Sequence, residues 1–394
     1  MYLSPLIPDL SLWLLVACFA CVLLLLAIYL FRVRSVVDYR RRADRERPDK
    51  PDAEFLPASV VIFSQGDADA LLDMLRTVLA QDYPAAFEVI VVNEGESADV
   101  RDTVSMLRAS HNNLYLTFTP EGVVNLSRKK LALTLGIKAA RYEIVVLTTT
   151  AAEIESKEWL RNMMAPFDRD GNTELVLGYA YIDKDEDTAF GHRRRAFDHV
   201  ADSVRWLGVA IAGKPFRGTE YNIAYRREAF LRNKGFARSL NLCYGDDDIF
   251  VSEIAKPENT VVELSNESIV RLRHGNHPRI FLERSMRRMF TERHIRRRPR
   301  VLFSLMGWLQ IAAIILGVAA AVVAYPDMNA TIIAAVILVL MCVMDVIFWR
   351  KAMLAMKSRK MLFTLPWFSI TYPLRRMYRR FRAPFAKQKK YTWD

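Results

Sequence analysis

Hydrophobic and polar positions give the chain two textures. Almost unbroken apolar runs occupy Leu12–Phe31, Val301–Tyr325 and Ala330–Trp349. Each reaches about 20 residues, the length a helix needs to cross a bilayer. The last two are separated by Pro326-Asp327-Met328-Asn329, which predicts a helical hairpin through the membrane. From Ala58 the texture changes. Short β-branched runs at Ser59–Phe63, Phe87–Val92, Leu114–Phe118 and Glu143–Thr148 read as buried strands. Between them, Ala70–Ala80, Val100–Ala109 and Lys129–Ala140 carry apolar residues at helical spacing. This alternation predicts an α/β, Rossmann-like domain with a mainly parallel sheet and helices on both faces. Ligands bind such sheets at the strand carboxyl ends, here Ser64–Asp67, Asn93–Ser97 and Thr148–Glu153.

The second half is less regular. Leu175–Tyr179, Ile223–Tyr225 and Thr260–Leu264 read as strands, Arg193–Val209 as an amphipathic helix and Leu282–Arg296 as a basic helix. Residues 33–54 are polar and basic and contain Pro48 and Pro51, so they read as a linker. Met361–Tyr372 is apolar but too short to span, and reads as interfacial or re-entrant. Asp345 lies inside the third apolar run, within two turns of Arg350 and Lys351, which predicts ion pairing near the interface.

Charge sharpens this picture. The chain of 394 residues is 52% hydrophobic and 25% charged, with a net charge of +12. The excess sits in Arg32–Arg47, Arg284–Arg300, Arg350–Lys360 and Arg375–Lys390, each beside an apolar stretch. That is a membrane-surface pattern rather than a nucleic-acid footprint, so a lipid bilayer is an expected partner and nucleic acid is not. The first run has no positive charge before it and ends in Arg32 and Arg34 instead of a small-residue cleavage site, so it reads as a retained span. The positive-inside rule then places residues 33–301 in the cytoplasm, the chain being a multi-pass protein of the cytoplasmic (inner) membrane. Cys18, Cys21 and Cys342 lie in apolar runs and Cys243 stands alone, which gives neither a disulfide framework nor a zinc site. The expected layout is a transmembrane helix (1–32), a basic linker (33–54), the α/β domain (55–300), a transmembrane hairpin (301–350) and a basic interfacial tail (351–394).

The densest candidate chemistry is Gly245-Asp246-Asp247-Asp248, followed at once by Ile249 and Phe250. Carboxylates crowded at the lip of a core are candidates for raised pKa values and acid–base work. An acidic first turn of a helix, favoured by the macrodipole, is the plainer reading.

Several segments together resemble the membrane-bound branch of family 2 glycosyltransferases, which have the GT-A fold. Ala80-Gln81-Asp82-Tyr83-Pro84 followed by Phe87–Val92 is similar to their opening strand region, and Arg128–Glu143 to the helix before their metal-binding strand. Gly245–Asp248 is similar to their acceptor-site motif, and Arg284-Ser285-Met286-Arg287-Arg288 to their "(Q/R)xxRW" motif. The resemblance covers roughly residues 58–295. It implies transfer of a sugar from a nucleotide sugar (a UDP- or GDP-sugar) to a hydroxyl of an envelope glycan or lipid-linked acceptor, with inversion. It makes Asp247 the catalytic base and places Asp246, Asp248, Tyr221 and Asn222 at the acceptor site. Ser64, Asp67, Asn93, Glu94, Lys129, Thr149, Ala151, Arg284, Arg287 and Arg288 become the nucleotide-side residues, the arginines facing the diphosphate. Lys130 could reach the nucleotide with Lys129; a basic helix meeting lipid headgroups is the alternative for the arginines, and a solvated helix start for the two lysines.

Departures from the family pattern carry their own expectation. Its "TDAD" strand end is here Thr148-Thr149-Thr150-Ala151, and neutral hydroxyl and methyl groups are poor ligands for a hard cation. No residue is assigned to a metal, and divalent-metal dependence is expected to be weak or absent. The alternative is a non-catalytic protein of this fold acting as a partner or scaffold of another envelope-glycan enzyme.

Overall fold

The computed structural model describes residues 6–46, 50–119, 126–169, 171–182, 189–295, 298–325 and 327–382. The chain divides into two compact units: Met1–Asp38, Glu186–Gly208 and Arg297–Phe381 form one, and Tyr39–Asp185, Val209–Arg296 and Arg382–Asp394 the other.

In the α/β unit the alternation becomes β1 (Ala58–Ser64), α3 (Ala68–Leu79), β2 (Phe87–Asn93), α4 (Ala98–Arg108), β3 (Leu114–Phe118), α5 (Arg128–Ala139) and β4 (Ile144–Thr149), after α1 (Leu6–Ile28) and α2 (Arg34–Arg45). The chain continues through β5 (Ala152–Glu153), α6 (Trp159–Met164), β6 (Leu175–Leu177), β7 (Ala180–Ile182), α7 (Phe190–Ile211), β8 (Ile223–Arg226) and α8 (Arg227–Arg232). It then forms α9 (Asp248–Ile254), β9 (Thr260–Val262), β10 (Val270–Leu272) and α10 (Pro278–Thr291). A seven-stranded sheet has the order β3-β2-β1-β4-β8-β6-β9, and β5-β10-β7 form a small second sheet. β1 to β4 run parallel, as the βαβ pattern requires, while β8 is antiparallel to both β4 and β6. The reversal matters for the site. Leu147 pairs with Ile223, so the loop entering β8 lies beside the carboxyl end of β4.

Both faces of the sheet are covered, hence the continuous apolar runs. Val60, Ile62, Leu71, Leu75, Val89, Val91 and Trp159 belong to one buried cluster. α5 lies close on the sheet because Gly136 has no side chain. A Cβ there would meet Val92 Cγ2 at 2.5 Å and Val61 Cγ1 at 2.8 Å. This approach fixes where the amino end of α5, with Lys129 and Lys130, meets the sheet.

In the helical unit, three helical stretches are long and apolar enough to cross a membrane: Leu10–Arg45, Leu305–Ala324 and Met328–Ala355. They belong to α1 with α2, to α11 (Arg298–Ala324) and to α12 (Met328–Ala355). Leu15, Ala320, Ala324, Ala330 and Ala334 form a buried cluster, its four alanines letting helix backbones approach without a hydrophobic driving force. Two expectations are corrected. Arg34–Arg45 of the expected linker are helical, continuing α1 through a π-turn at Tyr29–Val33. Arg34–Asp38 and Arg40–Asp44 pair at i,i+4 along this helix, and Val36 and Val37 are buried. Asp345 is fully buried and bonds inward rather than to Arg350 or Lys351. It accepts from Tyr29 Oη at 2.6 Å and from Gln310 Nε2, within a network that includes Trp349 and Ser369.

The expected interfacial segment contributes to a regular helix, α13 (Leu365–Arg382). Arg375 and Arg379 of α13 both pair with Asp198 of α7. Trp367, Leu374, Tyr378 and Phe381 are exposed. Residues 383–394 of the expected basic tail, and Arg296 and Arg297, lie outside the described residues.

Candidate active site

Gly245 adopts φ +101°, and a Cβ there would meet Ile249 Cδ1 at 2.4 Å, so the turn into the acidic motif requires glycine. Asp247 is the N-cap of α9. Its Oδ1 accepts from Asp248 N at 2.7 Å and its Oδ2 from Glu220 N at 3.2 Å. Asp248 is buried, 2.9 Å from Arg217 Nε, and accepts from Thr291 Oγ1 at 2.7 Å. Asp246 lies 2.8 Å from Lys129 Nζ, which also pairs with Glu220. The three neighbouring carboxylates therefore have three different environments. A pocket lined by Lys129, Tyr221, Asp246, Asp247, Arg284, Arg287 and Arg288, among others, opens above them.

These environments separate the acids. Burial, then Asp248 and Asp246 beside it, push the Asp247 carboxyl up to about 7. Burial acts in the same direction on Asp246, but the Lys129 ammonium overrides it and holds that carboxyl below its ordinary range. Burial pushes the Arg284 guanidinium down to about 10, so it stays cationic at neutral pH. Arg284 lies 6.0 Å from the Tyr221 ring centroid and Arg287 5.0 Å from that of Tyr244. Lys130 has no exposed surface. Its Nζ donates to the carbonyls of Ser239, Leu242 and Tyr244 at 2.6, 3.1 and 2.9 Å, which ties down the loop leading into the acidic motif.

The fold gathers Lys129, Tyr221, Asp246, Asp247, Asp248, Arg284, Arg287 and Arg288 around this pocket. Thr149 lines a second pocket that shares Lys129, Glu220, Asp246 and Asp247 with the first. Glu94 lies within electrostatic reach of Arg128, Lys129 and Arg287, though burial still raises its carboxyl. Other expected residues are committed elsewhere. Asp67 caps α3, accepting from Ala70 N at 2.9 Å. Ser64 Oγ accepts from Gly66 N at 3.3 Å, and Asn93 Nδ2 donates to Gly95 O at 2.9 Å, both at strand ends. Asn222 does not reach the pocket. It is fully buried, accepting from Trp159 Nε1 at 3.0 Å and donating to Tyr179 O and Ser268 O at 3.1 and 2.7 Å. Ala151 is exposed, and its N–H donates to Thr149 Oγ1 at 3.3 Å.

Glu220, Arg217 and Thr291 join the site without any local mark in the sequence. Each is 27 or more positions from the carboxylate it supports. Lys130, which with Lys129 reads in the sequence as a group that could reach the nucleotide or as a solvated helix start, is instead buried on the carbonyls of the 239–244 loop. A divalent cation fits the residues at the β4 end poorly. Thr149 and Ala151 offer a hydroxyl and a methyl, and Asp246 is held by Lys129. Among the described residues no group of three His, Cys, Asp or Glu could hold a metal ion.

Several solved structures are similar to the chain. A mannosyltransferase, PcManGT from Pyrobaculum calidifontis, in complex with GDP-Man and Mn2+, is 18% identical, with 94% of this chain and 100% of that chain covered and a TM-score of 0.56. S. aureus TarS 1–349 is 14% identical (85% and 93% covered, TM-score 0.39). Glucosyl-3-phosphoglycerate synthase from Mycobacterium tuberculosis, with Mn2+, UDP-Glc and phosphoglyceric acid, is 16% identical (58% and 78% covered, TM-score 0.37). No curated protein matches the chain by sequence. The sheet order and the PcManGT likeness define the GT-A fold. The sequence matches the profile of glycosyl transferase family 21 over residues 15–379, and the chain belongs to that family. The resemblance to family 2 identified the same class through its motifs.

Proposed function

We propose that the protein is an inverting transferase that moves a sugar from a UDP- or GDP-sugar to a hydroxyl of a lipid-linked or envelope-glycan acceptor, at the cytoplasmic face of a membrane. The acceptor oxygen bonds to the anomeric carbon as the bond from that carbon to the diphosphate breaks. The electron pair leaves on the nucleoside diphosphate and the acceptor proton passes to Asp247. The observation that carries this reading is the placement of Asp247. It shares a pocket with Lys129, Arg284, Arg287 and Arg288, and its carboxyl is pushed to about 7, where a base works at neutral pH. Forked guanidinium groups on the same wall suit phosphate oxygens. PcManGT holds GDP-Man, which fits a nucleotide-sugar donor. The spans and the exposed aromatic side chains of α13 favour an acceptor delivered at the lipid surface.

Asp247→Asn keeps the side-chain shape and removes the basic oxygen. Transfer by this variant is expected to fall about 10²–10⁴-fold with UDP or GDP binding retained. Near-normal turnover would remove Asp247 from the mechanism.

A further inference from the structure

The residues at the β4 end fit a divalent cation poorly, and one cationic side chain lines the same pocket as Thr149. Lys129 lies at the amino end of α5, which Gly136 holds against the sheet. Its side chain is 5% exposed. It borders both pockets, the one that includes Thr149 and the one that holds the acidic motif and the arginines. Its ammonium sits between Asp246 at 2.8 Å and Glu220, 5.5 Å from the Phe63 ring centroid. A positive charge this enclosed acts in a medium that screens it far less than water does.

On the reading that the pocket takes a nucleotide sugar, we propose that the Lys129 ammonium is a built-in cation for the donor diphosphate, kept by Glu220 and Asp246 until phosphate oxygens displace Glu220. An ammonium is a compact point charge with three donors, suited to oxygens arriving from more than one direction. Glu220 is the displaceable partner for a structural reason. Its main-chain N–H holds Asp247 Oδ2, so the side chain can leave Lys129 while the backbone keeps the base in place. Arg287 Nη1 stands 4.0 Å from Glu220 Oε1 and can receive the released carboxylate. Asp246 remains beside Lys129 at 2.8 Å. Leaving-group stabilisation, which a divalent metal can give a departing phosphate, is thereby assigned to a side chain of the protein.

Calorimetry of UDP and of GDP on the full chain in detergent, once with Mn2+ and once with chelator, tests this. At least one nucleotide is expected to bind with affinities that agree within about tenfold in the two conditions. Glu220→Gln frees the ammonium and is expected to raise that affinity about threefold or more, which loss of a merely structural ion pair would not do. Lys129→Met leaves two acidic groups uncompensated and endangers folding, so Lys129→Met is also made with Glu220→Gln. The double variant is expected to bind at least about tenfold more weakly than Glu220→Gln alone. A larger dependence on Mn2+ in the native protein, no gain from Glu220→Gln, or undiminished binding by the double variant would each overturn the proposal. Mn2+-dependent binding would do so while leaving the glycosyltransferase reading intact; absence of any nucleotide binding would overturn both.

Discussion

At the scale of single residues, the site works by giving similar groups different surroundings. Asp247 must lose its proton to act as a base, and its carboxyl is pushed to about 7. The rate kcat/KM is therefore expected to rise with pH through an apparent pKa near 7, falling about tenfold per unit well below it. A flat profile between pH 5 and 8 would exclude this role. The same shift has a consequence for stability. A carboxyl whose folded pKa lies above its unfolded value contributes stability at low pH and loses it as pH rises through the folded pKa. Asp247→Asn is thus expected to raise Tm relative to the native protein at pH 8 and to change it little near pH 4. Lys130 is a second test at this scale. Lys130→Met leaves three carbonyls without their shared donor, and is expected to cost about 2–4 kcal/mol and to lower activity through disorder of the 239–244 loop. Denaturant unfolding measures the first and steady-state rates the second. The acidic motif was legible because its carboxylates run directly into core residues. Glu220, Arg217 and Thr291 were not, because the reversed strand β8 and helix α10 bring them in from other elements, and nothing local marks them.

At the scale of elements, β1 to β4 and the helices α3 to α5 between them follow the period of their apolar positions to within a few residues. Failures occurred where local polarity misled. Residues 34–45 looked like a linker because they are basic, yet their i,i+4 Arg–Asp pairs and buried Val36 and Val37 sustain a helix. Proximity in sequence points Asp345 to Arg350 and Lys351. Residues five apart on a helix point well away from one another, while Tyr29 and Gln310 come from neighbouring helices on the buried side. The packing of α7 gives a test. A Cβ on Gly208 would lie 3.1 Å from Arg32 O and 3.3 Å from Val36 Cγ2. Gly208→Leu is therefore expected to destabilise this helix contact by about 1–3 kcal/mol, whereas Gly208→Ala costs much less. Thermal melts of the two variants in detergent would show the ordering; equal melting temperatures would mean that the helices do not rely on this close approach.

At the scale of the whole molecule, the distribution of positive charge sets the expected topology. The first span ends among Arg32, Arg34 and Arg40–Arg42, and the third among Arg350 and Lys351. The turn between α11 and α12, at Tyr325 to Asp327, carries no basic residue. Positive charge near span ends is retained in the cytoplasm, while long domains contribute little to the choice. By that rule, three spans are expected to put residues 33–301 and the segment after Arg350 on the cytoplasmic side, with Met1 and Asp327 on the other. This arrangement also suits the chemistry, because nucleotide sugars are highly charged and a site that takes them must open to the compartment that holds them. Cysteine labelling in sealed inside-out vesicles, with the native cysteines replaced, checks the assignment. A cysteine at Glu96, exposed after β2, is expected to react with a membrane-impermeant maleimide added outside such vesicles, and one at Asp327 only after detergent. Labelling of the Asp327 position in intact inside-out vesicles would reverse the orientation, and would place the Asp247 pocket away from its donor.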